Sequence, residues 1–109
     1  MNSSAPSPPK GRLRLDFIYS LNPDCSSAGF ATVRVLEQPK HGKITIDNGT
    51  GFSNFPQQNV RFECNKRRSD GVVLTYQPEA GFTGPDSINI DTIYANGSSQ
   101  QRRYAIDVR

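Results

Sequence analysis

Hydrophobic and polar residues alternate along most of the chain. The first clear example begins at Arg12, where charged and apolar residues take turns up to Phe17, and the pattern extends to Tyr19. Because successive side chains of a strand point to opposite faces, this pattern predicts half-buried β-strands. No segment has the ~3.6-residue period of an amphipathic helix. The pattern predicts about seven short strands, at residues 12–19, 31–35, 43–47, 60–64, 72–76, 87–94 and 103–108.

Clusters of turn-forming residues separate these segments. Residues 22–24 end the first strand, residues 48–51 end the third, and Asn96-Gly97 is typical of a hairpin before the last. Strict alternation leaves one face of each sheet wet, which fits antiparallel sheets and excludes a parallel α/β sheet. Short strands at this spacing favour an all-β, antiparallel sandwich with Greek-key connections over a barrel.

The chain divides into a short arm and one domain. Residues 1–11 are rich in Ser and Pro and have no apolar periodicity, so they are predicted to be a disordered arm; they also lack the hydrophobic segment of a signal peptide. Residues 12–109 have the length of a single domain, expected to be a monomer. No apolar run approaches the ~18–20 residues of a membrane helix, so no membrane span is expected.

The charge of the chain is modest and dispersed. There are 13 Lys and Arg residues against 10 Asp and Glu, a net charge of +3, and the basic residues form short clusters such as Lys66-Arg67-Arg68. Nucleic-acid-binding domains usually concentrate basic residues on one element, so no specific nucleic-acid partner is expected. These clusters fit a mixed solvated surface, with a weak polyanion-binding face as the alternative.

Two aromatic residues, Phe52 and Phe55, lie in a Gly- and Asn-rich segment predicted to be a loop at residues 49–59. Exposed rings on such a loop can stack on a sugar or contact a partner. The alternative is that they fold back as a lid over one edge of the sandwich.

The chain has two cysteines, Cys25 and Cys64, and neither belongs to a Cys-x-x-Cys pair. Zinc and thioredoxin-like chemistry are therefore unsupported, and His41 alone cannot complete a four-ligand site. One disulfide between a loop at residues 22–29 and the end of the strand at 60–64 is favoured over two reduced core cysteines. Such a bond implies an oxidising compartment.

Candidate catalytic residues are few. His41, the only histidine, lies in a Pro-Lys-His-Gly turn, and the chain has no Gly-x-Ser-x-Gly nucleophile motif. The carboxylates of Asp91 and Asp107 alternate with apolar residues and are expected on wet faces rather than in a cleft. The sequence therefore predicts neither an enzyme nor a cofactor.

Two local motifs carry more information about the class of protein. The first is Pro39-x-His41-Gly42, and the second runs from Tyr76 to Ser87 in the form Tyr-x-Pro-x-x-Gly-Phe-x-Gly-x-Asp-Ser. Together they resemble the signatures of bacterial immunoglobulin-like and cadherin-like modules, which occur in exported and surface proteins. The resemblance covers roughly residues 31–109 and implies an immunoglobulin-like sandwich. The absence of Trp excludes the Cys–Trp–Cys core of antibody domains.

The second motif has a structural explanation. Tyr76 is expected to place its ring on the core, and Phe82 is expected to fold back and plug the end of the sandwich. Asp86 can accept hydrogen bonds from loop amides. A calcium role for Asp86 is the alternative, but the other acidic residues are scattered along the chain. The structural residues of both motifs are Pro39, Gly42, Tyr76, Pro78, Gly81, Phe82, Gly84 and Asp86.

The resemblance implies a non-enzymatic module that is exported to the periplasm or the cell surface. Its expected role is a structural spacer or an adhesion and protein-interaction domain, with a protein or a cell-surface glycan as partner. The alternative is a carbohydrate- or polyanion-binding module. Its contacts would come from the aromatic pair or the basic cluster, namely Phe52, Phe55, Lys66, Arg67 and Arg68.

Overall fold

The computed structural model describes residues 12–109, so the predicted disordered arm at residues 1–11 lies outside the described residues. Residues 12–109 form six β-strands and a short 3-10 helix. In chain order these are β1 (Leu13–Ile18), β2 (Thr32–Glu37), β3 (Gly42–Phe52), the 3-10 helix (Phe62–Lys66), β4 (Arg68–Pro78), β5 (Gly84–Ile93) and β6 (Ser99–Val108).

The strands form two three-stranded antiparallel sheets, with the orders β1-β4-β3 and β2-β5-β6. The prediction of an all-β, antiparallel, sandwich-like fold is confirmed. Each sheet has a long central strand, β4 or β5, whose alternating inward residues form the core. Burying one such aliphatic side chain stabilises the fold by about 1.5–3 kcal/mol. The core cluster consists of Ile18, Val72, Leu74, Tyr76, Ile88, Ile90 and Ile106.

The strand predicted at residues 60–64 is wrong. This segment is a turn followed by the 3-10 helix, and Val60 is 74% exposed. The side chain of Asn59 accepts a hydrogen bond from the Arg61 amide at 2.7 Å, and the Asn59 carbonyl accepts one from the Phe62 amide. Asn side chains favour such turns over a strand ladder, so a short stretch of alternating residues is not sufficient to make a strand here.

The turn predicted at residues 48–51 is also wrong, because β3 continues through it to Phe52 and pairs with β4. The glycines have a packing role instead. A Cβ at Gly51 or Gly71 would lie 3.0 Å or less from atoms of the Phe17 ring. Glycine at these two strand positions leaves room for that ring on the outer face of the sheet.

Strand β1 contains a β-bulge between Arg14 and Asp16. Unbroken alternation would bury Phe17, but the extra residue shifts the pattern, and Ile18 is buried instead at 2% exposure. Phe17 is consequently half-buried on the outer face.

The predicted disulfide is confirmed: the Sγ atoms of Cys25 and Cys64 are 2.04 Å apart. Cys64 lies in the 3-10 helix rather than at a strand end, and it is fully buried. Nearby, the Arg61 side chain donates a hydrogen bond to the Leu21 carbonyl at 2.7 Å. The bond and this contact fasten the loop after β1 to the connection between β3 and β4.

We expect reduction of this disulfide, or the double substitution Cys25→Ser/Cys64→Ser, to lower the free energy of unfolding by about 4 kcal/mol. The cysteines are 39 residues apart, and a cross-link of that length restricts the unfolded chain strongly. Denaturant unfolding with and without reductant measures the loss, and reductant should leave the double variant unchanged. Equal stability of the oxidised and reduced protein would contradict the prediction.

Candidate functional site

The Asp86 carboxylate joins several segments at one end of the two sheets. Asp86 lies on β5 and is only 8% exposed. Its Oδ2 accepts hydrogen bonds from the Tyr76 hydroxyl of β4 at 2.7 Å and from the His41 amide at 3.0 Å. Its Oδ1 accepts hydrogen bonds from the Lys40 and Ser87 amides, each at 2.9 Å. The carboxylate therefore ties the second sheet to the first and to the connection between β2 and β3.

These contacts shift the pKa values of both side chains. Burial works to raise the pKa of Asp86, but the hydrogen bonds from Tyr76 and from three backbone amides outweigh it, so the pKa is lowered. Burial, followed by the hydrogen bond to Asp86, raises the pKa of Tyr76. At neutral pH the pair is a carboxylate and a neutral phenol.

The ring of His41 stacks on Phe82, with the centroids 4.2 Å apart and the planes 10° apart. The His41 carbonyl accepts a hydrogen bond from the Glu79 amide, and His41 Nδ1 lies 3.7 Å from Glu79 Oε1. Phe82 is half-buried and is not part of the core cluster. It covers the corner by packing on His41 instead of plugging the core, and His41 lies in the turn before β3.

The remaining residues of the two motifs lie around the same corner. Gly81 and Gly84 have φ values of +81° and +127°, a region that side chains with a Cβ rarely adopt. A Cβ at Gly42 would lie 2.5 Å from the Tyr76 ring, so only glycine permits this close approach. Pro39 is buried, and Pro78 is half-buried and pairs with Gly42 at the end of β4.

The Asp86 corner is closed to ligands. Each oxygen of the Asp86 carboxylate already accepts two hydrogen bonds from the chain, and the side chain is almost fully buried. Residues 12–109 contain no group of three or more His, Cys, Asp or Glu side chains placed to hold a metal ion. Asp86 is therefore an anchor between the two sheets rather than part of a ligand site.

A groove with a volume of about 470 Å³ opens at the opposite end of the molecule, where β1 and β3 end. Residues of both sheets and of the segments that follow β1, β3 and β5 contribute to it. A concave site of this size accommodates a small ligand or one or two sugar rings. The lining residues are Asp16, Phe17, Ile18, Tyr19, Phe52, Asn54, Tyr94 and Arg102.

Aromatic rings form much of the groove. Phe52 is 56% exposed, which is high for so large an apolar side chain. The rings of Phe17 and Tyr19 lie 5.4 Å apart, and Tyr19 in turn contacts Phe55 edge-on at 5.4 Å. Half-exposed aromatic rings offer flat apolar surfaces with polar neighbours, as in many binding sites.

A polar pair crosses the groove from one sheet to the other. The Arg102 guanidinium of β6 donates to Asp16 Oδ2 of β1 at 2.9 Å and to the Tyr94 hydroxyl at 3.1 Å. The Tyr104 hydroxyl donates a second, short hydrogen bond to the same carboxylate oxygen. Burial and this bond raise the pKa of Tyr104 to about 12. Both members of the Asp16–Arg102 pair are partly exposed, so they keep hydrogen-bonding capacity toward a ligand.

The segment after β3, which carries Asn54, is held by side-chain hydrogen bonds rather than by a strand ladder. Asn65 Oδ1 accepts hydrogen bonds from the Ser53 hydroxyl and the Phe55 amide, and Asn65 Nδ2 donates to the Phe55 carbonyl. The Asn54 amide donates to the Tyr19 hydroxyl at 2.9 Å. Since Asn65 is next to the disulfide-bonded Cys64, the same anchor positions this side of the groove.

The structure separates the predicted ligand contacts into two groups. Phe52 lines the groove, and the Arg68 guanidinium lies 5.2 Å from the centroid of its ring. Phe55 lies behind the groove, half-buried against Tyr19. Lys66 forms an ion pair with Glu63 at 2.8 Å, and Arg67 is exposed without lining the groove. The basic cluster therefore does not act as one surface, and only Arg68 belongs to the aromatic site.

Sequence reasoning missed the polar half of the groove. Asp16 and Arg102 are 86 residues apart in the chain. Asp16 stands between apolar residues as a wet-face residue does, and Arg102 stands in a polar run between Gln101 and Arg103. Tyr94 lies just beyond the end of β5, where the pattern gives no sign of a site. The available signal was weak: Phe17, Tyr19 and Tyr94 lie near the ends of predicted strands.

No protein-family model, curated protein or solved structure matches this chain. No helix in the described part of the chain is long and apolar enough to cross a membrane. The resemblance to bacterial immunoglobulin-like modules therefore stays a prediction. A functional proposal has to rest on the geometry of the two ends of the molecule.

We expect Tyr76→Phe to lower the free energy of unfolding by about 1.5–3 kcal/mol at pH 7, because it removes a hydrogen bond to an ionised carboxylate. The pKa of Asp86 is lowered in the folded state, so its contribution is present above the unfolded pKa and is lost as pH falls through the folded pKa. The variant should lose less stability than the natural protein on acidification. Unfolding measured between pH 7 and pH 2 tests this.

Tyr94→Phe is the matched control, since among residues 12–109 its hydroxyl hydrogen-bonds to Arg102 and to no carboxylate. Its effect on stability should be smaller and should not change over the acid range. A constant difference between Tyr76→Phe and the natural protein down to pH 2 would contradict the assignment of Asp86 as the ionised anchor.

Proposed function

We propose that this chain is an exported, non-enzymatic module of the immunoglobulin-like class, and that it binds a saccharide in the aromatic groove. The observation that carries the binding proposal is the half-exposed ring of Phe52 beside the Asp16–Arg102 pair. The proposed immunoglobulin-like class rests on the strand order and the two motifs, and the proposed export rests on the disulfide.

The strand order supports the immunoglobulin-like class. Constant-type immunoglobulin sandwiches place strands A, B, E and D in one sheet and C, F and G in the other. The orders β1-β4-β3 and β2-β5-β6 correspond to B-E-D and C-F-G, so residues 12–109 hold a counterpart for each strand except A. Residues 12–109 hold six strands rather than the seven that the hydrophobic pattern predicts, and the predicted Greek-key arrangement is part of this proposal.

The disulfide supports export, because such bonds persist in oxidising compartments such as the periplasm or the cell exterior. Its position differs from that of antibody domains, since it joins two connections outside the sheets instead of crossing the core. It holds together two segments that are not part of a strand ladder.

The chemistry of the groove supports a saccharide as ligand. A sugar ring has an apolar face of C–H groups, which packs on an aromatic ring, and a rim of hydroxyls that donate and accept hydrogen bonds. Phe52 offers the apolar surface, while Asp16 and Arg102 offer an acceptor and a donor on the opposite wall. The carboxylate of Asp16 is held by Arg102 and Tyr104, which fits a binding role better than that of a catalytic base.

A spacer or adhesion role is the second candidate. The closed corner at Asp86 favours the spacer role, because residues of both motifs are engaged in contacts within the module. A spacer needs only a stable fold, and its groove would bind no ligand.

Titration of the protein with a panel of soluble oligosaccharides, followed by calorimetry, tests the proposal. We expect at least one to bind, and Phe52→Ala to weaken that binding about tenfold, equivalent to about 1.4 kcal/mol. The melting temperature should change little, because the ring is largely exposed.

Phe30→Ala is the matched control: it also truncates a largely exposed phenylalanine, 45% exposed, but one that does not line the groove. It should leave saccharide binding unchanged. If no oligosaccharide binds, or if both variants bind as the natural protein does, the groove is not a saccharide site and the spacer role is favoured.

A further inference from the structure

Positive charge is concentrated on the aromatic side of the groove. The guanidinium of Arg14 lies 5.5 Å from the centroid of Phe17, and that of Arg68 lies 5.2 Å from the centroid of Phe52. Both rings line the groove. The charge of Arg102, in contrast, is balanced by Asp16 at 2.9 Å.

Neither rim arginine has a carboxylate partner within 4.0 Å among residues 12–109. Arg14 donates a hydrogen bond to the Thr50 carbonyl, which uses one of its N–H groups but leaves its charge uncompensated. Asp70 lies two residues after Arg68 on β4 and is exposed, outside ion-pair distance. Arg68, beside the exposed Phe52 ring, therefore offers an unbalanced positive charge at the edge of the groove, whereas Arg14 lies with Phe17 on the outer face of its sheet.

Of the two arginines, Arg68 is the better placed to meet a ligand, because its guanidinium lies against the exposed ring of Phe52. The N–H groups of a guanidinium point outward in its plane, so they stay available when the guanidinium packs on an aromatic ring. Two of them can donate to both oxygens of a carboxylate. Because Phe52 is more than half exposed, a sugar ring can pack against the part of the ring that Arg68 leaves free, and a substituent of that sugar would then reach past the ring edge toward the guanidinium.

We propose that the groove selects saccharides that carry a carboxylate, of the uronic acid or sialic acid class. Phe52 packs on the sugar ring, Arg68 pairs with its carboxylate, and the Asp16–Arg102 pair hydrogen-bonds to hydroxyls. This inference rests on the proposed saccharide binding and specifies its substrate class.

The test compares each acidic oligosaccharide with its own methyl ester, which keeps the sugar skeleton and removes the charge. A panel of uronate and sialate oligosaccharides is titrated into the full chain by calorimetry. We expect an acid form to bind at least tenfold more tightly than its ester, with an affinity that falls as salt is added. Arg68→Gln should abolish that preference, and Arg68→Lys should restore only part of it, because lysine keeps the charge but not the fork.

Arg34→Gln is the charge-matched control, since Arg34 is exposed on β2, away from the groove. It should keep the full preference for the acid form. Melting temperatures of all variants show that each is folded.

The possible failures are distinguishable. Equal binding of acid and ester overturns this inference while the saccharide proposal stands. No binding by any member of the panel, nor by the neutral oligosaccharides tested above, overturns both. If dextran sulfate binds as tightly as the uronates and Arg34→Gln weakens both as much as Arg68→Gln does, the attraction is a general polyanion effect and the inference is wrong.

Discussion

The hydrogen bond between the Tyr76 hydroxyl and the Asp86 carboxylate is the contact around which the two sheets are arranged. A buried carboxylate is costly unless its oxygens are fully hydrogen-bonded, so the anchor requires the Lys40 and His41 amides as well as the phenol. That requirement fixes the connection between β2 and β3 against the start of β5. It also brings the His41 ring onto Phe82, which covers the corner. One ionised side chain thus sets the spacing of the sheets and the course of the chain between them.

The opposite end of the molecule uses the same pairing with the sheets exchanged. Asp16 belongs to the first sheet and its phenol partner, Tyr104, to the second, and Arg102 adds a third member. Here the carboxylate is partly exposed. A pair that is only partly desolvated keeps hydrogen-bonding capacity, whereas the Asp86 corner has none left. The same interaction therefore closes one end of the sandwich and leaves a polar wall in a groove at the other.

The groove depends on a segment that has little regular structure of its own. The connection between β3 and β4 contains only the short 3-10 helix, and it is held by the Cys25–Cys64 bond and by the side chain of Asn65. Backbone without a strand ladder has to satisfy its polar groups through such contacts. Phe52 is the last residue of β3 before this segment, and its ring lies beside Arg68 because the two residues pair across the β3–β4 ladder.

The sequence by itself determined the long strands and the cysteine pair. The dense apolar run at residues 72–76 predicted a central strand, and alternation at residues 87–94 and 103–108 predicted two more. Two cysteines allow a single pairing. Tertiary structure decided the rest. The bulge in β1, the extension of β3 through residues 48–51 and the 3-10 helix at residues 62–66 all depend on pairing and packing partners distant in the chain. The groove also depends on tertiary structure, because its walls come from segments as far apart as Asp16 and Arg102. Local alternation carries no information about which polar residues of the two sheets meet.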